Sequence, residues 1–130
     1  MAHSSLMVVA LSAALLTACA GQALPPEVNP AVVRAIEDYY ERHASEVHGY
    51  CFAPYISGVS KAEIVEKDAD RLVIDVRYLF QDRIKDDRGD GGFLGRCAGF
   101  RSRRFVLDVS GEKPMVIEMG GDRRTPPTAS

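Results

Sequence analysis

The chain has 130 residues, 18 acidic and 16 basic side chains, and a formal net charge of −2 at pH 7. This length predicts a single domain, and the lack of a basic excess argues against a nucleic-acid-binding protein.

The first predicted element is an N-terminal export signal. Residues 6–16 form a mostly apolar stretch of signal-peptide length, shorter than the ~20 residues that a transmembrane helix needs. The stretch ends at Leu16-Thr17-Ala18-Cys19. These four residues resemble the lipobox of bacterial lipoprotein precursors, in which an aliphatic and two small residues precede the lipidated cysteine. One departure is that residues 1–5 contain no Lys or Arg, whereas this region is normally positive.

The resemblance implies that residues 1–18 are removed and that Cys19 carries the lipid anchor. Ala20 follows this cysteine, which favours the outer membrane, facing the periplasm. A second interpretation stays open, because Ala18-Cys19-Ala20 also fits the A-x-A rule of ordinary signal peptidase. Cleavage after Ala20 would release a soluble periplasmic protein.

The remaining cysteines predict a disulfide. If Cys19 is lipidated or removed, Cys51 and Cys97 are left in an oxidising compartment, where two thiols most simply pair. The bond would close a loop of about 47 residues, which the chain-entropy model values at about 4 kcal/mol. A redox or metal pair is less favoured because the sequence has no Cys-x-x-Cys.

A linker and one helix come next. Residues 19–29 form a linker stiffened by Pro25-Pro26. Asn29 is a good N-cap and Pro30 suits the first helical position. Apolar residues at helical spacing then predict an amphipathic helix over residues 30–47, ended by Gly49.

Alternating apolar residues predict about four strands. The clearest is residues 71–81, in which Leu72, Ile74, Val76, Tyr78 and Phe80 share one face. The others are residues 61–66, 100–109 with Phe105, Leu107 and Val109 inward, and 115–119 with Met115, Ile117 and Met119 inward. Residues 49–58 are interpreted mainly as a loop, and residues 121–130 as a disordered tail.

This order predicts an α+β fold, with one N-terminal helix packed on an antiparallel meander sheet. Residues 30–120 would form the domain. The arrangement is similar to cystatin-like and NTF2-like architecture, although no motif of those folds is matched.

A long polar loop is the predicted partner-binding site. Residues 82–96 are rich in charge and glycine, and loops of this length are often functional. Within it Asp86, Asp87, Arg88 and Asp90 are the candidate contact residues. A solvated hairpin loop is favoured over an EF-hand calcium loop, because Arg88 and Cys97 stand at two of the ligand positions counted from Asp86.

Other polar clusters favour structural roles. His43, Glu46, His48 and Cys51 cluster in sequence and could suggest a metal site. His43 and His48 are five residues apart, which does not match the i, i+4 zinc spacing on a helix, and an oxidised Cys51 is lost as a ligand, so no metal site is predicted. Strand alternation places Arg101 and Arg103 on the face opposite Arg104. Together with Arg96 they form a basic cluster. Pairing of this cluster with Asp82, Asp86, Asp87 or Asp90 is expected, and binding of lipid or lipopolysaccharide phosphates is a weaker alternative.

The sequence contains no recognisable catalytic motif and implies no cofactor. The leading hypothesis is therefore a non-enzymatic envelope module with a protein partner, of undetermined oligomeric state. The alternative is a small-ligand binder or enzyme with a pocket between helix and sheet. That pocket would be lined by Tyr39, Tyr40, His43, Tyr78 and Phe80.

Overall fold

The structure, a computed structural model, describes residues 23–84 and 97–125. Helix α1 (Pro30–His43) is followed by a short 3-10 turn at Val47–Gly49. The strands are β1 (Pro54–Lys67), β2 (Arg71–Asp82), β3 (Ala98–Asp108) and β4 (Met115–Met119). All neighbouring strands pair antiparallel in the order β1-β2-β3-β4. The predicted α+β class, one helix on a four-stranded antiparallel meander, is confirmed.

Helix α1 begins as predicted and ends earlier. The Asn29 side chain accepts a hydrogen bond from the Val32 amide at 3.0 Å, and Pro30 occupies the first turn. The predicted end at residue 47 was wrong, because the helix stops at His43 and Ala44 is extended. Ala44 forms an isolated bridge with Arg123, so a contact distant in sequence ends the helix.

The core lies between α1 and one face of the sheet. The predicted inward face of β2, from Leu72 to Phe80, is buried, and Ile74 pairs directly with Phe105. Helix α1 covers this face with its buried residues Val32, Ile36 and Tyr40.

Strands β1 and β4 differ from the prediction. β1 begins at Pro54, seven residues before the predicted start at Lys61, and three register shifts along it disturb the alternation that would have identified it. In β4 a shift opposite Val106 and Leu107 turns Val116 inward. Met119 is buried as predicted, whereas Met115 and Ile117 are exposed.

Both ends of the described chain pack on the domain. Val28 is buried in the core and Leu24 packs against it, inside the segment interpreted as linker. In the segment interpreted as tail, the Ser45 amide donates to the Asp122 carbonyl at 3.0 Å and the Arg124 amide to the His43 carbonyl at 2.9 Å. Asp122 and Arg124 are therefore held by backbone hydrogen bonds to the end of α1 and the residues after it. No helix among the described residues is long and apolar enough to span a membrane.

Candidate functional site

A buried polar cluster joins α1, the segment after it, β2 and β3. It consists of Tyr40, Glu46, Tyr78 and Arg103. The Oε1 atom of Glu46 accepts hydrogen bonds from the Tyr40 hydroxyl at 2.9 Å, the Tyr78 hydroxyl at 2.6 Å and Arg103 Nη2 at 3.0 Å. The Glu46 and Arg103 side chains are each only 5% exposed. A charged pair can be held at this depth because both members are hydrogen-bonded.

Arg103 uses all of its hydrogen-bond donors. A guanidinium has five N–H groups. Besides Nη2 to Glu46, they donate to the Tyr78 hydroxyl at 2.6 Å and to the carbonyls of Ser45 at 2.7 Å, Gly120 at 2.9 Å and Asp122 at 2.8 Å. Arg103 therefore ties β3 to the segment after α1 and to the C-terminal segment.

The cluster holds its tyrosines neutral. Burial raises the pKa of Tyr40, and the neighbouring Tyr78 and Glu46 raise it further. Burial also raises the pKa of Tyr78, together with the hydrogen bond that its hydroxyl donates to Glu46. Burial alone would lower the pKa of Arg103, but Tyr78 and Glu46 outweigh it and the pKa is raised. Both phenols therefore donate hydrogen bonds to Glu46, and the Tyr78 hydroxyl also accepts one from Arg103.

A surface cleft of about 340 Å³ opens beside this cluster, and it is called the Glu46 cleft below. It is lined by Glu46, Val47, His48, Tyr78, Arg101, Ser102, Arg103, Gly121 and Asp122. Arg101 is 59% exposed, and its Nε lies 3.9 Å from Glu46 Oε2. The cleft thus brings one buried carboxylate and one exposed guanidinium together, and a cleft of this size is at the lower end of the range for small-molecule sites.

The aromatic residues of the alternative pocket hypothesis are mostly packed. Tyr40, Tyr78 and Phe80 belong to the hydrophobic core and are almost completely buried. Tyr39 and His43 stack on each other with ring centroids 4.3 Å apart. Of these five residues, Tyr78 also lines the Glu46 cleft. The accessible space therefore lies beside the predicted pocket between helix and sheet.

Arg101, Arg103 and Arg104 lie on the faces that strand alternation predicted, but their partners differ from the predicted ones. Arg101 and Arg103 face Glu46, whereas Arg104 pairs with Asp75 at 2.7 Å on the opposite face. Of the expected partners, Asp82 was wrong for Arg103 and Arg104, and Asp86, Asp87 and Asp90 lie outside the described residues. Asp82 instead accepts three backbone N–H groups, from Phe52 at 2.7 Å, Ala53 at 2.8 Å and Ile84 at 3.1 Å.

Sequence reasoning named Glu46 only within the rejected metal cluster and missed its buried pairing with Arg103. The predicted helix extended through Glu46, and a glutamate on a helix is normally solvated. The available signal was that strand alternation places Arg103 on the same inward face as Phe105 and Leu107. An arginine buried there requires a partner. The sequence did not show which of the acidic residues supplies it.

Cys51 and Cys97 form the predicted disulfide, with Cα atoms 5.3 Å apart. The carboxylate of Asp82 and the two sulfurs lie within 4.8 Å of one another. Because the sulfurs are bonded to each other, they offer no thiolate to a metal ion. Asp82 fixes the chain before β1 to the end of β2, and the disulfide fixes it to the residue that precedes β3.

Two sets of predicted site residues lie outside the described residues. These are the lipidation site Cys19 and the loop residues Asp86, Asp87, Arg88 and Asp90. Comparisons of the chain with protein-family models, curated proteins and solved structures gave no match. The functional argument therefore depends on the chain's own residues.

Proposed function

We propose that this protein is a lipid-anchored protein of the bacterial outer membrane, facing the periplasm, whose domain binds a partner rather than catalysing a reaction. The observation that supports a role other than catalysis is the buried cluster. Glu46, Arg103 and the two tyrosines are held by one another, with Arg103 using all five donors. Arg103 and the two tyrosines, held in this way, are unsuited to act as a nucleophile or a base, which needs access to substrate.

The envelope location is supported by two independent features. Leu16-Thr17-Ala18-Cys19 resembles a lipobox. The Cys51–Cys97 disulfide suits an oxidising compartment outside the cytoplasm.

The packed N-terminal segment makes the proposed tether short. Leu24 already contacts the core, so five residue steps separate it from Cys19. Even fully extended, they would span about 17 Å. Helix α1 starts near this end, and its 14 residues extend about 21 Å to His43. The Glu46 cleft lies beside the other end of α1, about one helix length from the end that the tether approaches.

The anchor is tested by mass spectrometry of the mature N-terminus. We expect diacylation of Cys19, and accumulation of unprocessed precursor in Cys19→Ser. An unmodified N-terminus at Gly21 would instead establish the soluble periplasmic alternative.

The partner is tested by crosslinking in living cells. The loop of residues 82–96 stays the proposed contact region, with Asp86, Asp87, Arg88 and Asp90 as candidates. Replacing residues 86–92 with a Gly-Asn turn should abolish the crosslinks while leaving the stability of the domain nearly unchanged. Crosslinks that persist and map to Glu37, Glu41 and Arg42 on α1 would show that the loop is only a connection.

A further inference from the structure

The Glu46 cleft contains a buried carboxylate that is only half used by the protein. Its Oε1 atom accepts three hydrogen bonds from the buried cluster. Its Oε2 atom has Arg101 Nε at 3.9 Å, which is an ion-pair distance but longer than a hydrogen bond. Because each carboxylate oxygen has two lone pairs, Oε2 can still accept hydrogen bonds.

Arg101 supplies the opposite charge at the rim of the same cleft. Its side chain extends from β3 and is more than half exposed. Within residues 23–84 and 97–125, its ion pair is the one with Glu46, and no acceptor lies within hydrogen-bond distance of its guanidinium. Its terminal N–H groups can therefore bind a carboxylate in the two-pronged geometry typical of arginine.

From these two groups we infer that the Glu46 cleft binds a small zwitterion of the α-amino acid class. The ammonium group would donate hydrogen bonds to Glu46 Oε2, and the carboxylate would accept them from Arg101. This inference rests on the proposed binding function and names the kind of ligand that one surface of the domain takes.

The spacing of the two protein charges favours a ligand with both charges on one carbon. Glu46 Oε2 and Arg101 Nε are 3.9 Å apart, so their ligand groups must also be close together. In an α-amino acid the ammonium and the carboxylate are carried by the same carbon. An ω-amino acid with a long spacer separates them too far to contact both groups without folding back.

A ligand with a single charge would satisfy only half of this pair. A simple amine would contact Glu46 and leave Arg101 partly desolvated without a new partner, and a simple carboxylate would do the reverse. Buried or partly buried polar groups that lose water without gaining a hydrogen bond lower affinity. The zwitterion should therefore bind more tightly than either single-charge analogue.

The cleft is also organised before binding. Three hydrogen bonds fix the Glu46 carboxylate. The following residues Val47 and His48 have φ values of 51° and 53°, in the left-handed region that non-glycine residues rarely occupy. Such strain persists only where the surroundings impose it, and it is concentrated at functional sites. A rigid site loses little conformational entropy on binding.

The test is a nuclear magnetic resonance titration of the isotopically labelled full chain in detergent at neutral pH. The probes are glycine, methylammonium, acetate and 6-aminohexanoate. Glycine should give saturable shifts of the backbone amides of residues 46–48, 101–102 and 121–122. The other three probes should require at least about tenfold higher concentrations for the same shifts.

Arg101→Gln is the decisive variant, because Arg101 is exposed and its loss leaves the buried cluster in place. It should weaken glycine binding at least about tenfold. Arg71→Gln is the matched control, since Arg71 is 48% exposed and also lies 3.9 Å from a glutamate, Glu66. Glycine binding should be unchanged in this control.

Three results would overturn the inference. The first is that glycine causes no amide shifts up to about 10 mM, well above a millimolar dissociation constant. The second is that acetate or methylammonium binds as tightly as glycine. The third is that Arg101→Gln binds glycine as tightly as the wild type. Because the titration uses purified protein, it does not depend on the anchor or on the crosslinking test. If the titration fails but the crosslinks form, only the cleft ligand is overturned. If glycine binds but no crosslinks form, the protein-partner role is overturned.

Discussion

Glu46 and Arg103 form a buried ion pair with Oε1 and Nη2 3.0 Å apart, although they are separated by 57 positions in the chain. Glu46 lies just after α1 and Arg103 lies in the middle of β3. The pair therefore fixes the chain that leaves the helix against the sheet. Removing one member would leave the other as an unpaired charge in the interior, which is where the cost arises.

Replacing Arg103 should destabilise the domain strongly. Arg103→Ala leaves the Glu46 carboxylate buried without its cation, and we expect a loss of about 3–5 kcal/mol in the free energy of unfolding. Urea denaturation followed by circular dichroism measures it. Arg104→Ala is the control. Arg104 is the neighbour of Arg103 on β3, and it pairs with Asp75 at the surface, where ion pairs contribute little. Similar losses in the two variants would contradict the role assigned to the buried pair.

Gly121 should be sensitive to the smallest side chain. Its φ is +82°, and a Cβ atom there would lie 2.7 Å from Arg103 Nη1. Gly121→Ala should therefore cost about 1–3 kcal/mol, from backbone strain and from displacement of the guanidinium. Gly58→Ala is the control, since a Cβ there meets nothing within 4 Å. The prediction fails if thermal unfolding midpoints of both variants match that of the wild type.

The disulfide should contribute much of the stability. Cys51 and Cys97 are 46 positions apart, and replacing both with alanine should lower the free energy of unfolding by about 4 kcal/mol in the chain-entropy model. Thiol titration of the denatured, unreduced wild-type protein should detect neither cysteine. Detection of both thiols in protein isolated from the envelope would show that the bond does not form there.

Stability should fall at alkaline pH because of the buried tyrosines. The folded-state pKa values of Tyr40 and Tyr78 are raised above the ordinary value near 10. Above about pH 10 the unfolded chain releases these protons while the folded protein retains them, so the unfolded state gains relative stability. Each tyrosine should contribute a decline of up to about 1.4 kcal/mol per pH unit.

The measurement is urea unfolding between pH 8 and about pH 11, within the range where tyrosine titrates. Tyr78→Phe removes one titrating group, so it should lower the stability at pH 8 but flatten the alkaline decline. Tyr55→Phe is the control, because the Tyr55 hydroxyl bonds to Gln81 at the surface, outside the buried cluster. An unchanged slope in Tyr78→Phe would show that Tyr78 does not cause the decline.

Local sequence pattern was sufficient for the elements whose signals are local. The Asn29–Pro30 start of α1 depends on a capping side chain three residues from its donor, and the inward face of β2 depends on strict alternation. The Cys51–Cys97 pair followed from cysteine count and the implied compartment. In each case the information lies in neighbouring residues or in composition.

Tertiary structure decided the end of α1, the start of β1 and the Glu46 cleft. Helical spacing continued through residue 47, but the bridge from Ala44 to Arg123 ends the helix at His43. Arg103 could be assigned to the inward face from alternation, whereas its partner Glu46 could not be identified. The physical reason is that burial of a charge is tolerated only with a specific partner, and that partner is brought close by folding rather than by sequence spacing.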